Sequence, residues 1–167
     1  MILSAEQIQT RFDELSSLLL QKRNADGYWE GRLSSSALGV AVAITALHFY
    51  DAQGNTSEIK SGLKWIEDNI NADGGFGDSP ESVSNVSTSL ICYSAVKACS
   101  KDDQSSSLLL KIGDYLRKQN IDVNSEQLIP AILDFYKTDR TFSVPILTMC
   151  ALCNVPGREA FDSIPQL

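Results

Sequence analysis

Four cysteines are the residues whose type and spacing come nearest to those of a metal or redox site. Cys150 and Cys153 have the C-x-x-C spacing found in zinc and redox sites. Cys92 and Cys99 lie two helical turns apart, too far to be neighbouring ligands on one helix. Because both pairs fall in apolar stretches, we interpret all four as small buried hydrophobic residues. We therefore expect no metal at these positions.

Two further patterns could bind a metal, and each has a plainer structural interpretation. His48 is the single histidine, and no Asp-x-Cys pair accompanies it, so we expect it to serve in packing or at the surface. Asn69, Asn71 and Asp73 resemble the start of a calcium loop. The first position is Asn rather than Asp, and Glu81 comes one place too late for the bidentate ligand. A solvated turn is the favoured interpretation.

No acid or nucleophile stands out as a catalytic group. Asp102 and Asp103 are the only adjacent aspartates, and they lie in a polar run that is typical of a solvated loop. The serines of 34–36 and 84–89 read as helix starts, with no His–Asp partner pattern that would activate a nucleophile. The sequence therefore predicts no catalytic residue, no metal site and no cofactor.

Seven helical segments, with no convincing strand, would position any functional group. Ser4 to Gln7 form a capping box that starts the first segment. The odd segments have one apolar face and one polar face, whereas the even segments are mostly apolar. This alternation predicts an outer layer of helices that faces solvent and an inner layer that faces protein, as in an α/α toroid. The segments are approximately 4–23, 34–50, 56–70, 83–99, 104–119, 126–136 and 144–154.

The segment 34–50 is apolar around nearly its whole circumference, which predicts burial on most sides. The inner helix of the third hairpin is predicted to be 126–136, and 144–154 follows as a further apolar segment. A period of roughly fifty residues relates the hairpins, as in helical-repeat proteins. We therefore predict a single all-α domain over 1–167, with repeats at about 4–53, 54–102 and 103–154.

A turn between an outer and an inner helix carries the pattern Q-x5-G-x-W, formed by Gln21, Gly27 and Trp29. Gly27 permits a tight turn, and the Gln21 side chain can pair with unsatisfied backbone groups at the helix end. The Trp29 ring can then shield that pairing from water. We interpret these residues as structural.

A second copy of the turn runs from Asn69 to Gly77, with Asn in place of Gln and Phe in place of Trp. We match Asn69, Gly75 and Phe76 of this copy to Gln21, Gly27 and Trp29. Like the first copy, it leads into an apolar segment. We assign these three residues the same structural role.

These turns resemble the QW motif of class II triterpene cyclases of the squalene–hopene type. Phe142 to Pro145, followed by Phe161 to Pro165, resembles a later part of the same N-terminal region. The resemblance covers essentially the whole chain. It implies an α/α toroid and, in the parent protein, proton-initiated cyclisation of squalene or a related polyprenoid. Those enzymes protonate their substrate with an Asp of a D-x-D-D motif, which this sequence lacks.

The chain is therefore expected to be a scaffold that supplies part of the cavity wall and is inactive alone. Gly157 to Leu167 contain no closing helix, so we expect a fragment of a larger toroid. Its partners would be the remainder of the parent chain and, only in the full protein, an apolar isoprenoid substrate. Exposed inner helices would also favour self-association.

Two other functions remain open at this stage. The chain could be a non-enzymatic α/α repeat module that binds a protein or an apolar ligand in its concave face. It also resembles the β-subunit of protein prenyltransferases, which has a similar D-G-G-F-G turn, here Asp73 to Gly77. That family needs a zinc held by Asp, Cys and His, and His48 has no such companions.

Composition excludes some partners. The 167 residues carry a formal net charge of -7, which disfavours nucleic acid and anionic lipid as partners. The longest apolar run, Ala37 to Leu47, is about half of the roughly 20 residues that cross a bilayer. Met1 to Leu15 lack the order of a signal peptide. We expect a cytoplasmic protein with reduced cysteines, whose parent is peripheral on the membrane, as the resemblance implies.

Overall fold

A computed structural model describes residues 4–31, 33–100 and 105–157, together with 159, 162 and 164. The described residues are all-α, which confirms the predicted fold class; the nearest approach to a strand is one antiparallel bridge between Phe76 and Asn85. The chain divides into two compact units, Met1–Ser34 and Ser35–Leu167. The single domain and its three repeats stay a prediction. Asp102, Asp103, Phe161 and Pro165 lie outside the described residues.

Seven helices occupy these residues, close to the predicted segments. The predicted start at Gln104 lies outside the described residues, and the largest shift is at the last helix. There Asp139 accepts a hydrogen bond from the backbone N–H of Thr141 at 3.0 Å, so the helix begins early and contains Pro145. The helices are α1 (Ala5–Gln21), α2 (Ala37–Asp51), α3 (Thr56–Asp68), α4 (Val86–Cys99), α5 (Ser106–Lys118), α6 (Leu128–Tyr136) and α7 (Arg140–Leu152).

The unit Met1–Ser34 consists of α1 and the turn that follows it. The Ser4 hydroxyl accepts from the Gln7 N–H at 3.2 Å, and the Gln7 side chain accepts from the Ser4 N–H at 2.9 Å. This is the predicted capping box. The apolar stripe of α1, which includes Phe12 and Leu15, is not covered by any other helix of this unit.

The unit Ser35–Leu167 is built on a row of three helices that run in the same direction. The Cys92 thiol lies 3.6 Å from the Ala37 carbonyl oxygen, and the Cys99 thiol lies 3.5 Å from that of Ile44. The offset between the partners is 55 residues in both pairs, so α2 and α4 are parallel. The Ser94 hydroxyl contacts the Cys150 sulfur at 3.4 Å, which places α7 on the opposite side of α4. Lys97, one turn farther along α4, donates to the Asn154 carbonyl just after α7 at 2.8 Å, so α7 also runs parallel to α4.

The core of this unit is centred on α4, and α3 and α5 cover its outer side. From Leu90 to Val96, every residue of α4 is buried. The outer helices are amphipathic, as predicted, and each buries a single stripe. The buried apolar residues of these two stripes are Ile59 and Ile66 on α3 and Leu108, Ile112, Tyr115 and Leu116 on α5.

Two predictions about the inner layer are wrong. The helix beside α4 in the third hairpin is α7, whereas the nine-residue α6 packs mainly against α7. An apolar pattern does not decide which of two successive apolar helices takes that place. In addition, α2 is not buried on most sides, because only Ala37, Ala41, Ile44 and Thr45 are buried on it. No helix within the described residues is long and apolar enough to cross a membrane.

Candidate functional site

An open apolar groove of about 1360 Å³ lies within the unit Ser35–Leu167. Its volume exceeds the usual 300–1,000 Å³ of ligand pockets. Residues of α2, α4, α6 and α7, with Asp78 and Asn85 from the preceding loop, form its walls. The lining residues are Leu38, Val42, Thr45, Ala46, Phe49, Asp78, Asn85, Ser87, Thr88, Ile91, Phe135, Tyr136, Thr141, Phe142, Val144, Pro145, Ile146, Thr148, Met149 and Leu152.

The exposed face of α2 forms one wall of this groove. Leu38, Val42 and Phe49 recur at helical spacing and are 38%, 46% and 53% exposed. The opposite face of α2 is buried through Ala41 and Ile44. The apolar circumference of α2 therefore serves two purposes, since one face packs in the core and the other lines the groove.

Aromatic side chains form another part of the wall, where α6 ends and α7 begins. The Tyr136 ring stacks on the Phe142 ring, with centroids 6.2 Å apart and planes 18° apart. Phe135 meets Tyr136 edge to face at 5.2 Å. The Tyr136 and Ser87 hydroxyls share a hydrogen bond, which connects α6 to the first turn of α4.

A polar cluster lies at the start of α4, at the same end of the groove. Asn85 caps α4 by accepting from the Thr88 N–H at 2.8 Å. One oxygen of Asp78, Oδ1, accepts from Asn85 Nδ2 at 2.8 Å and from the Thr88 hydroxyl at 3.0 Å. These bonds fix the orientation of the Asp78 carboxylate.

The middle of the groove contains two threonines whose hydroxyls are already bonded. Thr45 donates to the Ala41 carbonyl, and Thr148 donates to the Val144 carbonyl, each at 2.8 Å. The hydrogen atom of each hydroxyl is therefore already used within its own helix and is not available to a ligand. This part of the groove presents mainly carbon to its contents.

The first predicted turn is closed by Trp29 rather than by Gln21. The indole N–H of Trp29 donates to the Leu19 carbonyl in the last turn of α1, at 2.6 Å, and the ring remains 46% exposed. No hydrogen bond of the Gln21 side chain occurs among the described residues, so its expected pairing is not made there. Gly27 has φ +91°, and Arg23 donates to its carbonyl at 2.7 Å.

The second turn has the same backbone hydrogen bonds, 47 residues later. In the first turn the Asn24 N–H donates to the Tyr28 carbonyl, and in the second turn the Asn71 N–H donates to the Gly75 carbonyl. Asn69 donates from Nδ2 to the Trp65 carbonyl at 2.8 Å, the helix-end pairing that was expected of Gln21. Phe76 is 1% exposed, in contrast to Trp29, and its N–H donates to the Ser89 hydroxyl at 2.9 Å.

The glycine that corresponds to Gly27 is Gly74, not Gly75 as the pattern was aligned. Gly74 has φ +89°, which matches the left-handed conformation of Gly27. Gly75 is small for a different reason, since a Cβ there would lie 2.7 Å from Ser84 and 2.9 Å from Tyr115. Counting six residues on from Asn69 selected Gly75, whereas the two Asp-Gly pairs, Asp26-Gly27 and Asp73-Gly74, are in register with the shared backbone hydrogen bonds.

The cysteines are buried and lack the character of nucleophiles or metal ligands. Burial raises the pKa of Cys99 and of Cys150 to about 11 and that of Cys153 to about 12. Burial also raises the pKa of Cys92. Thiolates are the reactive and metal-binding form, so these thiols are inert at neutral pH. Across the described residues, no three His, Cys, Asp or Glu side chains lie close enough to share an ion.

The remaining candidate ligands have other contacts. His48 meets the Phe49 ring edge to face at 5.3 Å and borders a small cavity of about 210 Å³. Asn71 donates to the Ser82 carbonyl at 3.1 Å, and Asp73 accepts from the Gly75 N–H at 3.0 Å. Both contacts support the turn interpretation of the calcium-like stretch.

A comparison with protein families now bears on this geometry. The family model of the squalene-hopene cyclase N-terminal domain matches residues 13–119, which is nearly two thirds of the chain. The chain belongs to this family. No curated protein and no solved structure shows a significant match. The matched range includes α2 to α5 and both turns, and it ends before α6 and α7.

Sequence reasoning missed most groove residues of this squalene-hopene cyclase-like chain. Val42 was counted among the apolar residues of a helix expected to be buried on most sides, Phe49 was not singled out, and Asp78 was read as part of a solvated turn. One available signal was the excess of apolar residues on α2, which is more than one buried face requires. Tyr136 gave no comparable signal, because its partner Ser87 is 49 residues away in sequence.

Proposed function

We propose that this chain is the N-terminal scaffold of a squalene or polyprenoid cyclase-like protein and that its groove supplies part of the wall of the substrate cavity. The observation that carries the proposal is a large groove with mainly apolar lining in a member of this family. A hydrocarbon substrate offers no hydrogen bonds, so its binding depends on apolar area at about 25 cal/mol per Å². The lining suits that requirement.

The aromatic residues at one end of the groove fit the same function. Cyclisation that begins with a proton passes through carbocations, and aromatic ring faces stabilise cations. Phe135, Tyr136 and Phe142 provide such rings in the groove wall. The proposal assigns them to shaping the cavity, with the catalytic acid in the remainder of the parent chain.

We propose further that the chain alone does not cyclise squalene. Protonation of an alkene needs a strong, dry and precisely placed acid. The sequence has no D-x-D-D motif. Among the described residues that line the groove, Asp78 is the one carboxylate, and it is exposed and bonded to Asn85 and Thr88. In this proposal the chain acts together with the remainder of the parent protein, which is a peripheral membrane protein.

A second candidate function rests on the same groove. A non-enzymatic repeat module that binds an apolar ligand would need the groove but no acid. The protein prenyltransferase alternative requires an Asp, Cys and His zinc site, and no observation on the described residues favours it. A self-associating form would cover exposed apolar residues such as Val42.

The test is equilibrium binding of an isoprenoid, with turnover measured in parallel. Val42→Glu places a charge in the groove, and Leu110→Glu makes the same kind of change on α5, where Leu110 is 65% exposed and outside the groove. We expect the purified chain to bind farnesol, Val42→Glu to weaken binding at least tenfold, and Leu110→Glu to leave it unchanged. We expect no product from squalene.

The outcomes separate the two candidate functions. Equal effects of Val42→Glu and Leu110→Glu, or no binding by the wild type, would contradict the groove assignment. Product formation from squalene by this chain would contradict the scaffold role. Binding without turnover by a longer natural chain would favour the non-enzymatic module.

A further inference from the structure

The helix α1 carries an apolar face that its own unit leaves uncovered. None of its 17 residues is buried. Phe12, Leu15 and Leu19 lie on one side of the helix, because they are spaced by three and four residues, and each is more than half exposed. We call these three residues the α1 face. A contiguous stripe of large apolar side chains marks a surface that another element covers.

The hydrogen bonds at the helix ends place α1 and α3 in register. At the end of α1, the Lys22 N–H donates to the Leu18 carbonyl. At the end of α3, the Asn69 N–H donates to the Trp65 carbonyl in the same way. The offset is 47 residues in both the donor and the acceptor, which is also the offset between the two turns that follow. The two helices are therefore equivalent, and each leads into the same kind of turn.

In this register the α1 face corresponds to the buried stripe of α3. Phe12 takes the position of Ile59, and Leu19 takes the position of Ile66. Ile59 and Ile66 are the buried residues of α3, which packs mainly against α2, the inner helix before it. In the same way, α5 packs against α4, the inner helix before it. The α1 face thus has the position of a surface that covers a preceding inner helix, whereas α2, α4 and α7 all follow α1.

One position differs between α1 and α3 in a way that specifies the partner. Gly62 of α3 lies directly against Ile44 of α2, since a Cβ at Gly62 would be 2.2 Å from Ile44 Cγ2. In α1 the corresponding residue is Leu15. A helix with the side chains of α2 would therefore overlap with Leu15, whereas a helix with a small residue in place of Ile44 would accommodate it. Such an exchange of volume across a contact preserves its packing density.

We infer that the α1 face is covered by an apolar helix of the inner-layer type, which carries a small residue opposite Leu15, where α2 has Ile44. This inference rests on the proposed function, since the remainder of the parent protein supplies that helix. The contact continues the arrangement of α3 on α2 by one step toward the N-terminus. Apolar side chains on both helices exclude water from it, and the groove takes no part.

The test uses two peptides that differ at one residue. Both comprise residues 35–52, which include α2 and its cap, with lysines added at the ends for solubility. One peptide has the native sequence and the other carries Ile44→Ala. Fluorescence anisotropy of each labelled peptide gives its Kd for the purified full chain. Overpacking corresponds to about tenfold or more in Kd, so we expect the Ile44→Ala peptide to bind at least about tenfold more tightly than the native peptide.

Leu15→Ala should abolish this preference, because it removes the side chain that overlaps with Ile44. Leu20→Ala is the matched control, since Leu20 is exposed to a similar degree and lies about 140° around the helix from Leu15. Alanine favours helix, and circular dichroism checks that both variants retain their helical content. A preference that survives Leu15→Ala, or that both variants lose equally, would overturn the inference. So would equal affinities of the wild-type chain for the two peptides.

Two further outcomes separate this inference from its alternatives. Sedimentation of the chain alone tests a second copy as the covering partner, and a dimer that Leu15→Ala dissociates and Leu20→Ala does not would overturn the inference. Failure of both peptides to bind would overturn it as well, yet farnesol binding that depends on Val42 would still support the proposed function. The expected peptide preference without farnesol binding would contradict the proposed function and leave the docking surface on α1.

Discussion

Phe76→Ala tests whether the two turns, which share their backbone hydrogen bonds, have different energetic roles. Phe76 is 1% exposed and belongs to the core of the unit Ser35–Leu167, whereas Trp29 is 46% exposed. The backbone of Phe76 is also fixed, because its carbonyl accepts from the Asn85 N–H at 2.9 Å. The emptied volume therefore cannot easily collapse.

Removing a buried phenylalanine in this way costs about 3–5 kcal/mol. Trp29→Ala loses one neutral hydrogen bond to the Leu19 carbonyl, about 0.5–1.5 kcal/mol, together with a ring that is already half in water. The free energy of unfolding of a typical domain is about 5–15 kcal/mol. Phe76→Ala should thus remove a large share of the stability of its unit, and Trp29→Ala should affect mainly the end of α1.

The assay is urea unfolding followed by circular dichroism and by tryptophan fluorescence, which in Trp29→Ala comes from Trp65 alone. Trp65 reports on the unit of Phe76 because it packs against the core of that unit. We expect Phe76→Ala to lower the unfolding free energy by about 3–5 kcal/mol and Trp29→Ala to leave the Trp65 transition nearly unchanged. Phe76→Leu should cost clearly less, because it empties less volume. Similar losses for Phe76→Ala and Trp29→Ala would refute the reasoning that burial, rather than the turn itself, carries the energy.

Three further predictions follow from single sites. Gly74→Ala should lower the free energy of unfolding in urea by at least about 1–3 kcal/mol, because φ is +89° and the added Cβ would lie 2.7 Å from the Lys111 carbonyl oxygen. Gly31→Ala is the control and should be nearly neutral, because a Cβ at Gly31 would meet no atom within 4 Å. Burial raises the pKa of Cys150 to about 11, so its contribution to stability is complete below pH 9 and is lost as pH rises toward 11, at about 1.4 kcal/mol per pH unit. Cys150→Ala should make that part of the pH profile less steep by about 1.4 kcal/mol per pH unit, with the remaining slope coming from Cys92, Cys99 and Cys153, whose pKa values burial also raises. An unchanged slope would contradict the assignment. Asn85→Ala should cost about 1 kcal/mol in thermal unfolding through loss of the α4 cap, and a neutral effect would argue against the cap.

Much of the helical layout could be predicted because it depends on local chemistry. The Ser4 capping box, for example, uses side chains three residues apart, and both of its hydrogen bonds are made. The stripes of α3 and α5 follow from helical periodicity, since a half-polar helix has one face to bury. The burial of the cysteines was also predicted correctly, because a cysteine within an apolar stretch of sequence behaves as a small hydrophobic residue.

The candidate site depended on contacts that sequence spacing does not encode. Asp78 acquires its partners only when the loop folds back onto the first turn of α4. Tyr136 reaches Ser87 across 49 residues. The distinction between Gly74 and Gly75 depends on backbone dihedrals, which the letters G-G do not specify. Each of these is a tertiary property that a one-dimensional pattern leaves undetermined.

The exposed face of α2 shows why an apolar sequence pattern alone does not distinguish residues of the core from residues that line a groove. Complete burial of an aliphatic or aromatic side chain stabilises a protein by about 1.5–3 kcal/mol, and Leu38, Val42 and Phe49 do not obtain that gain within their own unit. Polar residues at these positions would leave the helix equally well packed against α4 through Ala41 and Ile44. Their apolar character is therefore not explained by packing within the unit. The proposed function explains it by an apolar occupant, which would bury the same side chains against itself and convert their exposed area into binding free energy.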